Sequence, residues 1–246
     1  MNTDTLEKMK GMKLSGMLRA FTTTLESGQT THYTNDELVS FLIQSEWDER
    51  QNRNILRLIT NARFRYNASI ESLHYEQNRN LDKNQILRYA ECSFITNNEN
   101  ILITGSTGIG KSYLATALGY QACMLGYRVM YVNTAKLFSR LKMAKANGTY
   151  IKEMARIERQ HLLILDDFGL QPLDNLNRQA IMEIIEDRHE KGSTIITSQL
   201  PVKQWYEVIG EQTIADAILD RVVHSAHRIE LKGESLRKKL IQVQNN

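Results

Sequence analysis

The chain has 246 residues, of which 41% are hydrophobic and 24% charged, and 31 basic against 28 acidic side chains give a formal net charge of +3. This balance is typical of a globular protein in water, and no stretch approaches the about eighteen consecutive apolar residues of a membrane helix. Two cysteines and two prolines exclude a disulfide framework, a cysteine-rich zinc site and a proline-rich disordered chain. The first residues lack a basic-then-apolar leader, so we expect a cytoplasmic protein without membrane contact.

The first 75 residues are predicted to form a small all-α domain that binds DNA or a partner and supports oligomerisation. Its first helix is indicated by four apolar residues at spacings that place them on one face: Leu14, Leu18, Phe21 and Leu25. A polar break follows at residues 28–31. Residues 34–37 then show the Ser/Thr-x-x-Glu pattern that caps a helix start, and the helix they begin is expected to continue beyond residue 50.

This second helix leads into a basic segment without acidic residues. Its arginines are Arg50, Arg53, Arg57, Arg63 and Arg65. The first three share one stripe of a helix because they are spaced by three and four residues. Such a stripe suits sequence-independent contacts with the phosphates of double-stranded DNA, and a solvated helix face is the alternative.

After about residue 75 the pattern changes, and short apolar runs alternate with helical stretches. This alternation predicts an α/β domain over residues 76–246, with a parallel sheet sandwiched by helices. The predicted strands are residues 101–104, 128–133, 162–165, 193–197 and 228–231.

Residues 105–112 match the phosphate-binding pattern G-x-x-x-x-G-K-[ST] at every fixed position, between a predicted strand and a predicted helix. Glycines let backbone N–H groups approach a phosphate, and the helix N-terminus attracts the same anion. Lys111 is expected to reach the β- and γ-phosphates of ATP, and Ser112 to ligate Mg²⁺. The predicted nucleotide-binding residues are Gly105, Ser106, Thr107, Gly108, Ile109, Gly110, Lys111, Ser112 and Tyr113.

Two carboxylates follow the apolar run at residues 162–165, at the sheet edge where open α/β sheets bind ligands. Asp166 is expected to hold Mg²⁺ through water, and Asp167 to orient and polarise the attacking water. A helix or turn cap is the alternative for each. After the next strand, Gln199 is the predicted contact to the γ-phosphate and the water, with Ser198 the second choice; a polar exit from the strand is the alternative.

Together these motifs resemble the AAA+ ATPases of the helicase-loader group, and most closely the IstB family of ATP-binding helper proteins in bacterial insertion-sequence transposition. The helicase loader DnaC is a related protein. The resemblance is carried by the glycine loop, residues 113–119, 162–169 and 197–205, and the tail at 217–238. It covers residues 80–246 strongly and the N-terminal helical region more weakly.

The resemblance implies a P-loop NTPase with a five-stranded sheet in the order 5-1-4-3-2. It also implies ATP hydrolysis with Mg²⁺, homo-oligomers that assemble with ATP on double-stranded DNA, and a partner transposase. In the family pattern, Arg221 corresponds to the arginine that a neighbouring subunit inserts toward the γ-phosphate. The expected catalytic residues are therefore Lys111, Asp167, Gln199 and Arg221.

Two positions depart from the wider AAA+ pattern: Asp167 stands where Glu is usual, and Gln199 where Asn is more usual. Arg237 is a candidate second sensor, and a solvated surface base is its alternative. A DnaC-like loader of a replicative helicase is the alternative function, since it uses the same machinery. A small-molecule kinase would need a lid with convergent arginines, and we find no such segment in the sequence.

Overall fold

The computed structural model describes residues 2–28, 33–75, 79–224 and 226–236. The chain divides into two compact units, Met1–Arg57 and Leu58–Asn246. The expectation that residues 1–75 act as one functional domain stays a prediction.

Helices α1 (Asn2–Gly11), α2 (Ser15–Glu26) and α3 (Asn35–Ala62) carry the described residues of the smaller unit, and α3 continues past its boundary. The predicted capping box begins α3. The hydroxyl Oγ1 of Thr34 accepts the Glu37 N–H at 3.3 Å, and the Glu37 carboxylate accepts the Thr34 N–H at 2.8 Å. Both predicted helices are therefore confirmed, while residues 29–32, which include most of the predicted break, lie outside the described residues.

A buried carboxylate joins α2 to α3. Glu46 is 6% exposed and accepts the backbone N–H groups of Gly16 at 2.8 Å and Met17 at 3.3 Å, at the N-terminus of α2. It also accepts the Arg50 Nε–H at 2.6 Å. Burial raises the pKa of Glu46. The hydrogen bonds from Arg50, Met17 and Gly16 together lower this pKa by more than burial raises it, so the net shift is downward. The ionised carboxylate thus stabilises the start of α2.

In the larger unit, two short helices, α4 (Lys83–Ala90) and α5 (Ser93–Thr96), precede the first strand. From there strands alternate with helices in the order β1 (Asn100–Thr104), α6 (Lys111–Met124), β2 (Val129–Asn133), α7 (Thr134–Ala146), α8 (Tyr150–Glu158), β3 (Leu162–Phe168), α9 (Asn175–Arg188), β4 (Ser193–Ser198), α10 (Trp205–Ile209), α11 (Gln212–Val223) and β5 (Ala226–Glu230). A 3-10 turn, Val202–Gln204, leads into α10.

Within the described ranges, five strands form one parallel sheet in the order β2-β3-β4-β1-β5, which confirms the implied order. Strand β4 lies between β1 and β3: Ile195 pairs with both Ile101 and Ile164. Strand β3 extends three residues beyond its predicted end, so Asp166 and Asp167 belong to the strand itself.

Helices cover both faces of the sheet because the strand residues alternate between two apolar clusters. Ile103 and Ile164 pack in the first cluster with residues of α4 and α6, whereas Leu102 and Leu163 pack in the second with residues of α7, α9 and α11. The layers therefore leave the carboxyl edge of the strands to the loops. In the parts of the chain that the structure describes, no helix combines the length and apolarity that crossing a membrane requires.

Both cysteines behave as small apolar side chains. Cys92 and Cys123 are free, fully buried and part of the first cluster. Burial raises the pKa of Cys92 to about 11 and that of Cys123 to about 12. Their thiols therefore stay protonated at neutral pH and carry no redox or nucleophilic role.

The contact between α2 and α3 gives the first prediction. We expect Glu46→Gln to destabilise the smaller unit by about 1–2 kcal/mol, because a neutral amide is a weaker acceptor for buried N–H groups and for Arg50. Limited proteolysis of the full chain in increasing urea, read at cleavage sites before residue 57, measures this change. Glu49→Gln is the matched control, since Glu49 pairs with Arg19 and Arg53 at the surface. Equal protection of the two variants would contradict the role of Glu46.

Candidate nucleotide site

The glycine loop connects the end of β1 to the start of α6, and its glycines hold backbone conformations that other residues rarely adopt. The φ angles of Gly105, Gly108 and Gly110 are +141°, +83° and +95°. A Cβ on Gly105 would lie 2.3 Å from the carbonyl oxygen of Leu231, and one on Gly108 would lie 2.2 Å from the Ser235 hydroxyl. Glycine is thus required at both positions, although only the first is fixed by the phosphate-binding pattern.

Lys111 is the first residue of α6 and is only 5% exposed. Its ammonium group donates to the carbonyl oxygens of Gly105 at 2.7 Å and Ser106 at 2.8 Å, so it lies within the curve of the loop. Phosphate oxygens are stronger acceptors than these neutral carbonyls. Ser112 and Tyr113 follow in the first turn, and the Tyr113 hydroxyl lies 2.7 Å from that of Ser72.

Two other segments fix the loop from outside. Arg79, which is 6% exposed, donates from Nη2 to the carbonyl of Ile109 at 2.7 Å and from Nη1 to that of His74 at 2.6 Å. The chain after β5 also contacts the loop, where the Leu236 N–H donates to the carbonyl of Gly108 at 3.0 Å. These contacts stabilise the shape of the loop.

Asp166 is fully buried near the end of β3, and two hydroxyl groups hold its carboxylate. Thr197 on β4 donates to Oδ1 at 2.6 Å, and the Tyr131 hydroxyl on β2 donates to Oδ2. Burial and the hydrogen bond to Asp166 both raise the pKa of Tyr131, which keeps this hydroxyl protonated as a donor. The carboxylate is therefore fixed between the two neighbouring strands.

Asp167 adopts a left-handed backbone conformation, with φ at +59°. Its N–H donates to the Thr197 hydroxyl at 2.9 Å, and its Oδ2 accepts from the Asn133 amide at 3.3 Å. The pairing of β3 with β4 shifts register at this point, between Leu165 and Phe168. The left-handed backbone conformation costs a residue other than glycine about 1–3 kcal/mol of strain, and such residues are typical of functional sites.

The register shift brings both carboxylates to one cation. In a regular strand, successive side chains point to opposite faces. Here Arg65 Nη1 lies 4.0 Å from Asp166 Oδ2 and 3.9 Å from Asp167 Oδ2. One guanidinium group therefore lies beside both carboxylates.

Of the predicted polar cluster after β4, Gln199 contacts the glycine loop and Ser198 does not. The Thr107 hydroxyl donates to Gln199 Oε1 at 2.6 Å. Ser198 is fully buried; its hydroxyl donates to the carbonyl of Phe168 at 2.7 Å and accepts the Leu200 N–H at 3.1 Å. Ser198 therefore has a backbone-bridging role, and Gln199 is the residue placed beside a phosphate site.

Arg221 lies at the opposite edge of the sheet from the other predicted catalytic residues. Its carbonyl accepts from the Asn100 side chain at 3.4 Å, at the start of β1, whereas the glycine loop follows the end of that strand. Five strand residues span about 13 Å between their first and last Cα atoms. The Arg221 guanidinium pairs with Glu186 at 2.9 Å and lines a polar cavity of about 570 Å³. The structure does not bring Arg221 to the glycine loop of its own chain.

The donor set fits a magnesium ion that arrives with a nucleotide. Ser112 and Asp166 offer hard oxygen ligands, and Mg²⁺ commonly binds through one or two protein groups together with waters and phosphates. Nowhere in the described residues do three or more His, Cys, Asp or Glu side chains gather into a metal-binding group. This chain thus lacks, over those residues, a metal cage made of such side chains.

Sequence reasoning missed Thr197, Tyr131, Asn133, Arg79 and Arg65 as site residues. Thr197 and Asn133 are each the last residue of a predicted strand, and this position is the signal that would have identified them. Arg79 stands before the first predicted strand and carries no such signal. Arg65 belongs to the basic segment but not to the predicted stripe of Arg50, Arg53 and Arg57, and the structure places its guanidinium beside the aspartates.

Acidic residues about one turn earlier on α3 partly neutralise the positive charge of the arginine stripe. Arg50 pairs with Glu46 at 2.6 Å, and Arg53 lies 3.7 Å from Glu46 and 3.8 Å from Glu49. About half of each arginine side chain remains exposed. DNA contact through this stripe stays a prediction, and so does the second-sensor role of Arg237, which lies outside the described residues.

Comparisons with known proteins agree with the resemblance seen in the motifs. Residues 7–243 match the family model described as "IstB-like ATP binding protein". A protein of Sinorhizobium fredii (strain NBRC 101917 / NGR234), named as the insertion sequence ATP-binding protein y4pL, is 42% identical over 234 residues, which cover 95% of this chain and 96% of that protein. The ATP-binding protein named for insertion sequence IS1162 of Pseudomonas fluorescens is 35% identical over 202 residues, with coverage of 82% and 87%.

Solved structures share the fold at lower identity. The DnaC helicase loader superimposes with a TM-score of 0.56 at 24% identity, over 68% of this chain and 98% of that one. The AMPPCP-bound DnaA from Aquifex aeolicus superimposes with a TM-score of 0.59 at 19% identity, over 74% of this chain and 55% of that one. These likenesses confirm the predicted P-loop NTPase fold.

The double role of Thr197 gives the second prediction. Thr197→Val removes one donor from the buried Asp166 carboxylate and the acceptor of the Asp167 N–H. We expect the free energy of unfolding to fall by about 1–3 kcal/mol, measured by urea denaturation. Thr197→Ser keeps the hydroxyl and should lose less. A valine variant as stable as the serine variant would contradict the assigned contact.

Proposed function

Since the chain belongs to the IstB-like ATP-binding family of insertion sequences, we propose that it is an ATPase that helps transposition. In this proposal the ATP-bound chain oligomerises on double-stranded DNA and delivers target DNA to the transposase of the same element. Hydrolysis then releases the assembly. The observation that carries the proposal is the position of the glycine loop and Lys111. They follow β1, and a single strand, β4, separates β1 from β3 with its paired carboxylates.

The geometry supports a division of roles for ATP binding. Lys111 exchanges its two carbonyl partners for the β- and γ-phosphates, and the N–H groups of the loop and of α6 bind the same oxygens. Ser112 and Asp166 would hold Mg²⁺, which when bound neutralises charge on the phosphates. The hydroxyl donors of Tyr131 and Thr197 keep the Asp166 carboxylate oriented.

Hydrolysis needs a water in line with the γ-phosphate, and Asp167 is the group assigned to it. Its carboxylate accepts a proton from the water as the oxygen attacks phosphorus and the bond to ADP breaks. Gln199, beside Thr107, supplies an amide donor to the γ-phosphate.

Arg221 is assigned to the site of a neighbouring subunit. Its position beside Asn100, at the far edge of the sheet, favours action in trans over action in cis. An arginine that completes the site of the next copy makes ATP a ligand of two subunits, so that binding and assembly depend on each other. This dependence supports ATP-driven homo-oligomers.

The choice between a transposase and a replicative helicase as the partner protein rests on the relatives. The proteins of 42% and 35% identity carry names that associate them with insertion sequences, which favours a transposase as partner. The likeness to the DnaC helicase loader, at 24% identity, concerns the fold alone. No observation on this chain specifically favours a replicative helicase. Net positive charge and the half-exposed arginines of α3 support binding to duplex DNA.

The proposal gives a third prediction, which separates ATP binding from hydrolysis. We expect Asp167→Asn to bind ATP and duplex DNA but to hydrolyse ATP at least about a hundredfold more slowly, because the base is lost. Its DNA-bound oligomers should therefore persist. Lys111→Ala should lose ATP binding and form no such complexes. Size-exclusion chromatography with duplex DNA and ATP, ADP or no nucleotide, together with phosphate release, measures both.

Wild-type turnover by Asp167→Asn would contradict the role given to Asp167. Complexes of equal size with and without ATP would contradict nucleotide-driven assembly.

A mixing experiment gives the fourth prediction, on Arg221. Arg221→Ala and Asp167→Asn should each be inactive alone. An equimolar mixture should recover about a quarter of the wild-type rate, because about one interface in four then joins an intact site to an intact arginine. Arg228→Ala, which changes an exposed arginine on β5, is the control and should keep its activity alone. No recovery in the mixture would contradict action in trans.

A further inference from the structure

Arg65 lies in the nucleotide site although its sequence neighbours suggested a DNA-binding role. It follows the end of α3 by three residues, and its guanidinium reaches within 4.0 Å of both Asp166 and Asp167. The guanidinium also lies over the Tyr66 ring, 5.2 Å from its centroid. About half of the side chain is exposed, so it has room to move.

The segment that carries Arg65 is fixed against the core of the nucleotide-binding unit. The Phe64 ring lies so close to α6 that a Cβ on Gly119 would be 2.8 Å from its edge. Phe64 also makes an edge contact with Tyr131, the residue that donates to Asp166, with ring centroids 6.4 Å apart. Ala62, at the end of α3, is fully buried in the same cluster. Arg65 is thus held beside the aspartates by packing as well as by charge.

The charges of the site explain why a cation is needed there. Two carboxylates lie side by side in the sequence and one of them is fully buried, so a positive partner close to both stabilises the pair. Mg²⁺ satisfies this requirement when it enters with ATP. A guanidinium within 4.0 Å of the same oxygens then faces a dication, and the two positive groups compete for one carboxylate pair.

We propose that Arg65 is the counter-cation of this carboxylate pair, and that Mg²⁺ displaces it when ATP binds. The inference rests on the proposed function, because it requires Mg²⁺ with ATP as the ligand. Displacement frees the residue that ties the end of α3 to β3.

The fifth prediction measures metal affinity instead of turnover. We use Mn²⁺, followed by electron paramagnetic resonance, with the non-hydrolysable analogue AMPPCP and the full chain. Arg65→Gln should bind Mn²⁺ about tenfold more tightly than wild type, because the competing cation is gone. Arg65→Lys keeps the charge and should lie closer to wild type. Arg63→Gln is the matched control, since it removes an exposed charge two residues away and should change the affinity less than about twofold.

An unchanged or weaker Mn²⁺ affinity in Arg65→Gln would overturn the inference, and so would equal tightening in Arg63→Gln. Hydrogen exchange of the wild-type chain decides the matter if Arg65→Gln does not fold. Amides of residues 63–67 should exchange faster after Mn²⁺ and AMPPCP are added, and unchanged exchange would overturn the inference. A wild-type chain that binds no AMPPCP with Mn²⁺ would overturn the proposed function itself, and the inference with it.

Discussion

The hydroxyl of Thr197 is the contact on which the arrangement of the site depends. It donates to the Asp166 carboxylate and accepts the Asp167 N–H, so one atom on β4 fixes both acidic residues of β3. Thr197 also pairs in the sheet with Ile103 of β1, the strand that leads into the glycine loop. Because neighbouring parallel strands lie about 4.8 Å apart, β1 and β3, on either side of β4, are about 10 Å apart.

Two cations of the site rest on oxygen atoms of the chain itself. Lys111 rests on two carbonyl oxygens of its own loop, and Arg65 rests on the carboxylate pair. In the proposed mechanism, each cation would exchange these partners when ATP and Mg²⁺ bind. The glycine loop is held in addition by Arg79 and by the chain after β5.

The fold was largely predictable because its signals are local. Apolar runs mark the strands, the glycine pattern marks the phosphate loop, and a capping box marks the start of α3. Contacts that depend on register were not predictable. The sequence pattern favoured Gln199 and Ser198 as the polar contacts after the fourth predicted strand. The contact of Thr197 with the aspartates depends on the irregular pairing of β3 with β4, which the pattern does not indicate. Arg65 is separated from the aspartates by about a hundred residues, and nothing in its neighbourhood distinguishes it from the arginines of α3.

The chain after β5 has a consequence for how this sequence can vary. Gly108 is not among the fixed positions of the phosphate-binding pattern, yet its left-handed backbone and the nearby Ser235 leave no space for a side chain. Part of the constraint on residue 108 therefore comes from the C-terminal segment. Across an evolutionary lineage, positions 108 and 235 should change in concert: where the segment is shorter or follows another course, steric pressure on residue 108 disappears and only its φ angle still favours glycine.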